Sequence, residues 1–273
     1  MSRTDPVAGV TGASSGIGVA FARKLAGKGY RLILIARRRE RLEKLASELP
    51  HAEVLRADLS VDTDLRAVEQ RLGSEPRLEF LINNAGFGVP GLFWTANPAD
   101  QDRIHRVHIN AIERLTHAAL KGMVERRKGN IINVSSVAGF LHTPYSVSYC
   151  ATKAWINNFT EGLYLELRCV HSPVRVQALC PGFTYTEFHD VIGMDRSSIP
   201  RSLWMTAEEV VDASLRGLER DHLIVVPGWR YRLFLSVFPR LPKFLRHFLS
   251  IKYGSRSQAR SYKSEDGNQG LGA

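Results

Sequence analysis

The chain predicts an α/β fold in which helices cover both faces of a doubly wound parallel sheet. Three observations carry this: seven short apolar or β-branched runs, longer stretches of helical spacing between them, and a glycine-rich turn after the first run. Short runs buried on both faces and separated by helical patterns are the signature of parallel strands joined by crossover helices. Right-handed crossovers then place a ligand crevice at the carboxyl ends of the strands.

In chain order the expected strands are Val7–Val10, Arg31–Ala36, Glu53–Ala57, Glu79–Asn83, Asn130–Ser135, Val174–Leu179 and Leu223–Val226. Helical faces between them are marked by Leu42, Leu45, Ala46 and Leu49, by Leu65, Val68 and Leu72, and by Trp155, Phe159, Leu163 and Leu167. Phe183 to Ser202, which holds Pro200, breaks the alternation as an irregular excursion. From Trp229 the chain turns aromatic, basic and Pro-punctuated, and from about Tyr253 polar and Gly-rich. The expected division is a single catalytic domain over 1–228, an amphipathic basic extension over 229–252 and a disordered tail over 253–273.

A length of 273 residues at 44% hydrophobic content is enough for one full core with decorations. Cys150, Cys169 and Cys180 are few, odd in number and not in a metal-ligand spacing, which points to buried thiols in a reduced, cytoplasmic setting rather than disulfides or a metal site. No apolar stretch follows a basic leader, so no secretory signal is expected. The net charge of +10 is uneven: 28 basic residues face 25 acidic ones before position 228, and 9 face 2 after it. A near-neutral body with a basic tail indicates a local interaction surface and argues against a nucleic-acid-binding protein.

The turn Thr11-Gly12-Ala13-Ser14-Ser15-Gly16-Ile17-Gly18 joins the first strand to a helix. Its glycines allow a tight turn and a close backbone approach to a pyrophosphate, where helix amides and dipole favour an anion. The spacing is Gly-x3-Gly-x-Gly rather than the commoner Gly-x-Gly-x2-Gly. An acidic residue after the second strand would hold a free ribose diol and repel a 2′-phosphate. This chain instead has Ala36-Arg37-Arg38-Arg39, so Arg37, with Arg38 as a helper, is expected to grip a 2′-phosphate and select NADPH/NADP+. Asp58-Leu59 after the third strand and Asn84-Ala85-Gly86 after the fourth are candidates for the adenosine end; either could also be simple turn chemistry.

Tyr149 and Lys153 stand four apart on one predicted helix, hence on one face. A free phenol has a pKa near 10, and a neighbouring ammonium is expected to lower it towards the working range of a proton donor. Ser136 follows the fifth strand with its hydroxyl expected in the crevice; Ser135 competes, but side-chain alternation favours Ser136. Asn110, placed in a helix despite its poor propensity, is expected to hold a water linking Lys153 to solvent.

Taken in order, Thr11-Gly12-x3-Gly16-x-Gly18, Asn83-Asn84-Ala85-Gly86, Asn110, Ser136, Tyr149-x3-Lys153 and Pro181-Gly182 resemble the short-chain dehydrogenase/reductase superfamily across roughly residues 5 to 227. The resemblance implies a Rossmann-type sheet of seven strands, a catalytic tetrad of Asn110, Ser136, Tyr149 and Lys153, and a nicotinamide contact at Thr184. It also implies a homodimer or homotetramer built on the helices around Asn110 and Tyr149, and an enzyme acting on CH–OH and C=O groups.

The excursion after Pro181-Gly182 would close over substrate. Phe183, Tyr185, Phe188, Val191, Ile192 and Met194, with Phe140, Leu141 and Tyr145, then describe an apolar site for a lipid-like carbonyl such as a 3-oxoacyl thioester. An alcohol, hydroxysteroid or sugar dehydrogenase is the near alternative, and an NADPH-binding membrane adaptor the alternative of another class. Residues 229–252 hold six basic and no acidic residues among many apolar ones, which suits a peripheral contact with an anionic membrane. A helix folded back on the body is the competing expectation.

Overall fold

The computed structural model describes residues 5–252. Its strands are β1 (Val7–Thr11), β2 (Arg31–Ala36), β3 (Ala52–Arg56), β4 (Leu78–Asn83), β5 (Asn130–Val134), β6 (Arg175–Leu179) and β7 (Ile224–Val225), each ending within a residue of its expected limits. They form one parallel sheet in the order β3-β2-β1-β4-β5-β6-β7.

Alternation along the strands divides the core. Leu32 and Leu34 of β2 face one side, while Ile33 and Ile35 face the other. On the first side they meet Phe21 and Leu25 of α1 (Gly16–Gly27), Leu42 of α2 (Arg39–Glu48), and Val210 and Leu215 of α8 (Ala207–Glu219). On the second they meet Val68 and Leu72 of α3 (Asp62–Gly73), Leu115 and Met123 of α5 (Ala111–Glu125), and Leu167 of α6 (Val147–Cys169). Local signals set the helix starts. The Asn97 side chain accepts from the Ala99 N–H at the head of α4 (Pro98–His105), which opens on a proline, and Thr206 with Glu209 forms a capping box on α8.

Strand order reverses between β1 and β4, and the crevice opens there. Between α4 and α5 the helix widens into a π-turn, Arg106–Asn110. The excursion after β6 holds a short helix, α7 (Phe188–Val191), and two 3-10 turns, so it is more ordered than expected.

The C-terminal extension is also more tightly joined to the body than the expected boundary at 228/229 implies. Its first helix, α9 (Trp229–Val237), buries Tyr231, whose hydroxyl donates to the Leu203 carbonyl at 2.7 Å and accepts from the Phe183 N–H at 2.9 Å. The ring lies so close to Gly182 that a Cβ there would fall 2.1 Å from it. A 3-10 turn with buried Phe238 follows, and then a helix over 243–252. The segment 253–273, expected to be disordered, lies outside the described residues. Cys150 and Cys180 are buried, but Cys169 is exposed at the end of α6, contrary to expectation. Among the described residues no helix is long and apolar enough to cross a membrane, and no cluster of His, Cys, Asp or Glu is arranged to hold a metal ion.

Candidate active site

The glycine turn is shaped by close contacts. Gly12 and Gly16 have φ of 65° and 52°. A Cβ on Gly12 would sit 2.7 Å from the Asn84 side chain, and one on Gly18 would sit 2.2 Å from the Gly12 carbonyl. Ser15 caps α1 without a side-chain hydrogen bond, and no acidic residue lies in the first turn. Bare backbone with uncapped amides at a helix N-terminus fits a dinucleotide pyrophosphate. Ser14 borders the turn, and Ile17 packs on the core behind it.

Thr11 and Asn84 brace this turn. The Thr11 hydroxyl donates to the Ile82 carbonyl and accepts from the amides of Asn84 and Ala85 at 2.9 and 3.0 Å. The Asn84 side chain donates to the carbonyls of Thr11 and Gly12. Gly86 is fixed by proximity, since a Cβ there would lie 2.8 Å from Nε2 of His108. Asp58 accepts from the backbone and hydroxyl of Ser60. Burial pushes its carboxyl up, but the Ser60 hydrogen bonds and the charges of Arg37 and Arg103 outweigh this and hold it below the usual range. Leu59 is in the core, so only its backbone can face the crevice. Thr184 is likewise buried, its hydroxyl donating to the Gly182 carbonyl at 3.0 Å beside Pro181.

The two arginines differ. Arg37 is exposed, with one loose ion pair to Asp58 at 3.9 Å. Arg38 is engaged by the Ser14 hydroxyl and by Glu187, which stands on the excursion after β6.

Ser136, Tyr149 and Lys153 converge where β5 meets α6. The Ser136 hydroxyl lies beside the Tyr149 phenol and donates to the Pro181 carbonyl at 3.5 Å while accepting from the Ala138 N–H at 3.1 Å, whereas Ser135 is buried and donates to the Lys153 carbonyl at 2.9 Å. Lys153 is 5% exposed, and its ammonium donates to the Val134 carbonyl at 2.8 Å, 5.6 Å from the centre of the Tyr149 ring. Burial lowers the Lys153 pKa to about 8. The phenol does not follow the expectation. Burial raises it to about 12, opposed by the Ser136 hydroxyl, because the ammonium is turned to Val134 instead of to the phenolic oxygen.

Asn110 is a correction. It closes the π-turn with its side chain exposed, and no hydrogen bond joins it to Lys153. Two residues earlier, His108 is fully buried and edge-on to the Tyr149 ring at 5.9 Å. The Phe87 N–H donates to its Nε2 at 3.1 Å, so Nδ1 carries the proton and donates to Thr152 Oγ1 at 2.9 Å. The Thr152 hydroxyl then donates to the Tyr149 carbonyl at 3.0 Å. This chain ties the loop after β4 to the helical turn that carries Tyr149. Burial, then the charges of Lys153 and His105, hold His108 well below pKa 6.5 and therefore neutral. Its signal in the sequence was partial: Ile104 and His108 stand at helical spacing, but the π-turn breaks the period before Ala111 and Leu115.

His108→Ala is expected to leave the Phe87 amide and Thr152 hydroxyl unpaired and to cost about 1–3 kcal/mol in urea unfolding. His108→Asn is expected to recover part of that loss. Equal unfolding midpoints for wild type and His108→Ala would refute the positioning role.

The expected apolar site is smaller than the residues named for it. Phe188 packs on Tyr149 with ring centres 5.6 Å apart, and with Ile192 it approaches Gly88. Phe183 and Tyr185 pack instead on Trp204, inside the excursion, and Val191 is 73% exposed. A cleft of about 580 Å³ opens elsewhere, between 202–216 and 227–232.

Comparison with known proteins agrees with this geometry. Residues 6–196 match the family described as short chain dehydrogenase. A very-long-chain 3-oxoacyl-CoA reductase from Anas platyrhynchos is 33% identical over 272 residues, covering 94% of this chain and 82% of the relative. A short-chain dehydrogenase from Sphingobium yanoikuyae, solved in complex with NADPH, superimposes with a TM-score of 0.79 at 36% identity, covering 86% of this chain and 93% of that one. An alcohol dehydrogenase from Comamonas testosteroni specific for bulky-bulky ketones gives 0.74 at 33% identity, covering 87% and 95%. With a seven-stranded parallel sheet, a glycine turn at its switch point and a Tyr-x3-Lys pair beside Ser136, the chain belongs to the short chain dehydrogenase family, the oxidoreductases of carbonyl and alcohol groups.

Proposed function

We propose that this protein is an NADPH-dependent reductase of a hydrophobic ketone, with Ser136, Tyr149 and Lys153 as its catalytic residues. The observation that carries the proposal is the convergence of Ser136, Tyr149 and Lys153 at the base of a crevice walled by Phe188 and Ile192. The glycine turn and the exposed Arg37 would hold the cofactor, which supplies a hydride when bound. Tyr149 is fully protonated at neutral pH and donates its proton to the carbonyl oxygen. Ser136 hydrogen-bonds the same oxygen as charge develops. The Lys153 ammonium stands 5.6 Å from the centre of the Tyr149 ring, with a pKa of about 8 that lets it return a proton near neutrality. His108 positions the Tyr149 turn and takes the place expected for Asn110.

Similarity to a 3-oxoacyl-CoA reductase and to a bulky-ketone alcohol dehydrogenase supports a 3-oxoacyl thioester or a ketone with two large substituents. The test is NADPH and NADH oxidation across 3-oxoacyl thioesters, bulky aryl ketones, steroids and sugars. Turnover with NADPH on the first two classes is expected, and Arg37→Ala should narrow the preference over NADH. Turnover confined to sugars, or equal use of both nucleotides, would overturn the proposal.

The tail supports a second element, binding at an anionic membrane surface. Trp229, Leu233 and Val237 of α9, and Phe244, Phe248 and Ile251 of the last helix, each form an exposed apolar stripe at helical spacing. Truncation at 229 would also remove Tyr231 and disturb the Pro181-Gly182 segment. The better variant is therefore Trp229, Phe244 and Phe248 each changed to Ser. Wild type is expected to float with phosphatidylserine vesicles and the triple variant to stay in solution; identical partitioning would favour a surface for a second copy of the chain.

A further inference from the structure

Three consecutive residues of the excursion lie over three different parts of the crevice. Thr186 rests on the glycine turn, where a Cβ on Gly16 would fall 2.6 Å from its methyl group. Phe188 lies on Tyr149. Between them the Glu187 carboxylate is held by Arg38 at 2.8 Å and, on its other oxygen, by Arg41. Arg38 simultaneously donates to the Ser14 hydroxyl at 3.1 Å. A carboxylate thus occupies a cluster of two guanidiniums and a hydroxyl at the head of α2, beside the exposed Arg37.

We propose that Glu187 is a cofactor-discriminating residue, an internal anion that competes with the ribose 2′-phosphate for Arg38 and Arg41. The inference rests on the assignment of an NADP-type cofactor to this crevice. A phosphomonoester is close to a dianion at neutral pH and presents three acceptor oxygens, against one negative charge and two oxygens for the carboxylate. It therefore displaces Glu187 from guanidiniums that favour bidentate acceptors. A nucleotide without that phosphate leaves the ion pairs in place. Both arginines and Glu187 are more than 40% exposed, so screening keeps each pair weak and the exchange reversible. Glu187 lies between Thr186 and Phe188, so its release also frees the residue covering Tyr149. The phosphorylated nucleotide then opens the place for the carbonyl, and NADPH binds before the ketone.

The test is equilibrium binding of NADPH, NADH, 2′-AMP and 5′-AMP to the full-length wild type and to Glu187→Gln, by calorimetry in low and high salt. Glu187→Gln is expected to tighten NADPH and 2′-AMP by about five- to tenfold, with NADH and 5′-AMP changed by less than about twofold. The gain should shrink in high salt. Limited proteolysis gives a second readout. In wild type, 2′-AMP should expose residues 186–192 to cleavage and 5′-AMP should not, while Glu187→Gln should be susceptible without ligand. Equal weakening of NADPH and NADH in Glu187→Gln would make Glu187 a simple clasp and overturn the inference, as would an unchanged ratio. The wild-type preference between NADPH and NADH tests the cofactor assignment separately. A wild type that favours NADH, and a Glu187→Gln variant that gains NADPH, would sink that assignment and leave this inference standing.

Discussion

Tyr149→Phe is expected to reduce turnover by roughly a thousandfold or more, within the range that a positioned proton donor contributes, while nucleotide affinity stays within twofold of wild type. The substitution removes one oxygen and keeps the ring, so the contacts with His108 at 5.9 Å and Phe188 at 5.6 Å survive. Only the phenolic oxygen beside Ser136 is lost. A structural role for the ring would therefore predict little change. Steady-state kinetics with nucleotide titration decides the matter, and retained turnover would remove Tyr149 from the chemistry.

Lys153→Met should lower turnover at least a hundredfold, again within the range for loss of acid–base function, and yet not destabilise the protein at pH 7. Burial lowers the folded-state pKa of Lys153 from 10.5 to about 8. The unfolded chain therefore binds more protons between about pH 8 and the ordinary lysine value, and stability rises with pH across that window. Below pH 8 the charge is held in the folded state at a cost on the order of 3 kcal/mol. Methionine removes that cost and keeps most of the volume, at the expense of leaving the Val134 carbonyl without its donor, about 1–3 kcal/mol. Urea unfolding at pH 7 should find the variant equal to or more stable than wild type, and the alkaline rise should disappear. A variant that keeps the rise would show that Lys153 is not the group responsible.

Local patterns made most of the fold and the candidate site legible. Seven strand runs, the glycine turn and the four-residue spacing of Tyr149 and Lys153 are short-range features, and backbone geometry translates them directly into position. Ser136 was separable from Ser135 by side-chain alternation alone. What was hidden depends on pairs distant in the chain. Nothing near Arg38 announces that Glu187 will hold it, and nothing near Tyr231 announces Gly182. Asn110 was misplaced for another reason: a π-turn interrupts the 3.6-residue period, and residue type was given more weight than the apolar stripe on which His108 lies. The phenol's pKa was misjudged because i,i+4 spacing fixes a helix face but not where a long side chain ends.

That π-turn also limits how the segment can change in length. Each residue added to or removed from a helix rotates everything beyond it by roughly 100°. Residues 106–110 contain one more residue than an α-helical path would, which lets Ile104 and His108 face inward on one side and Ala111, Leu115 and Met123 do so on the other. A one-residue deletion inside 106–110 would therefore leave a plain α-helical path between the same two ends, whereas a deletion in α4 or α5 would rotate one flank off its buried face. Homologous chains should therefore differ in length by one residue within 106–110 if anywhere along this helix, and align without gaps through α4 and α5.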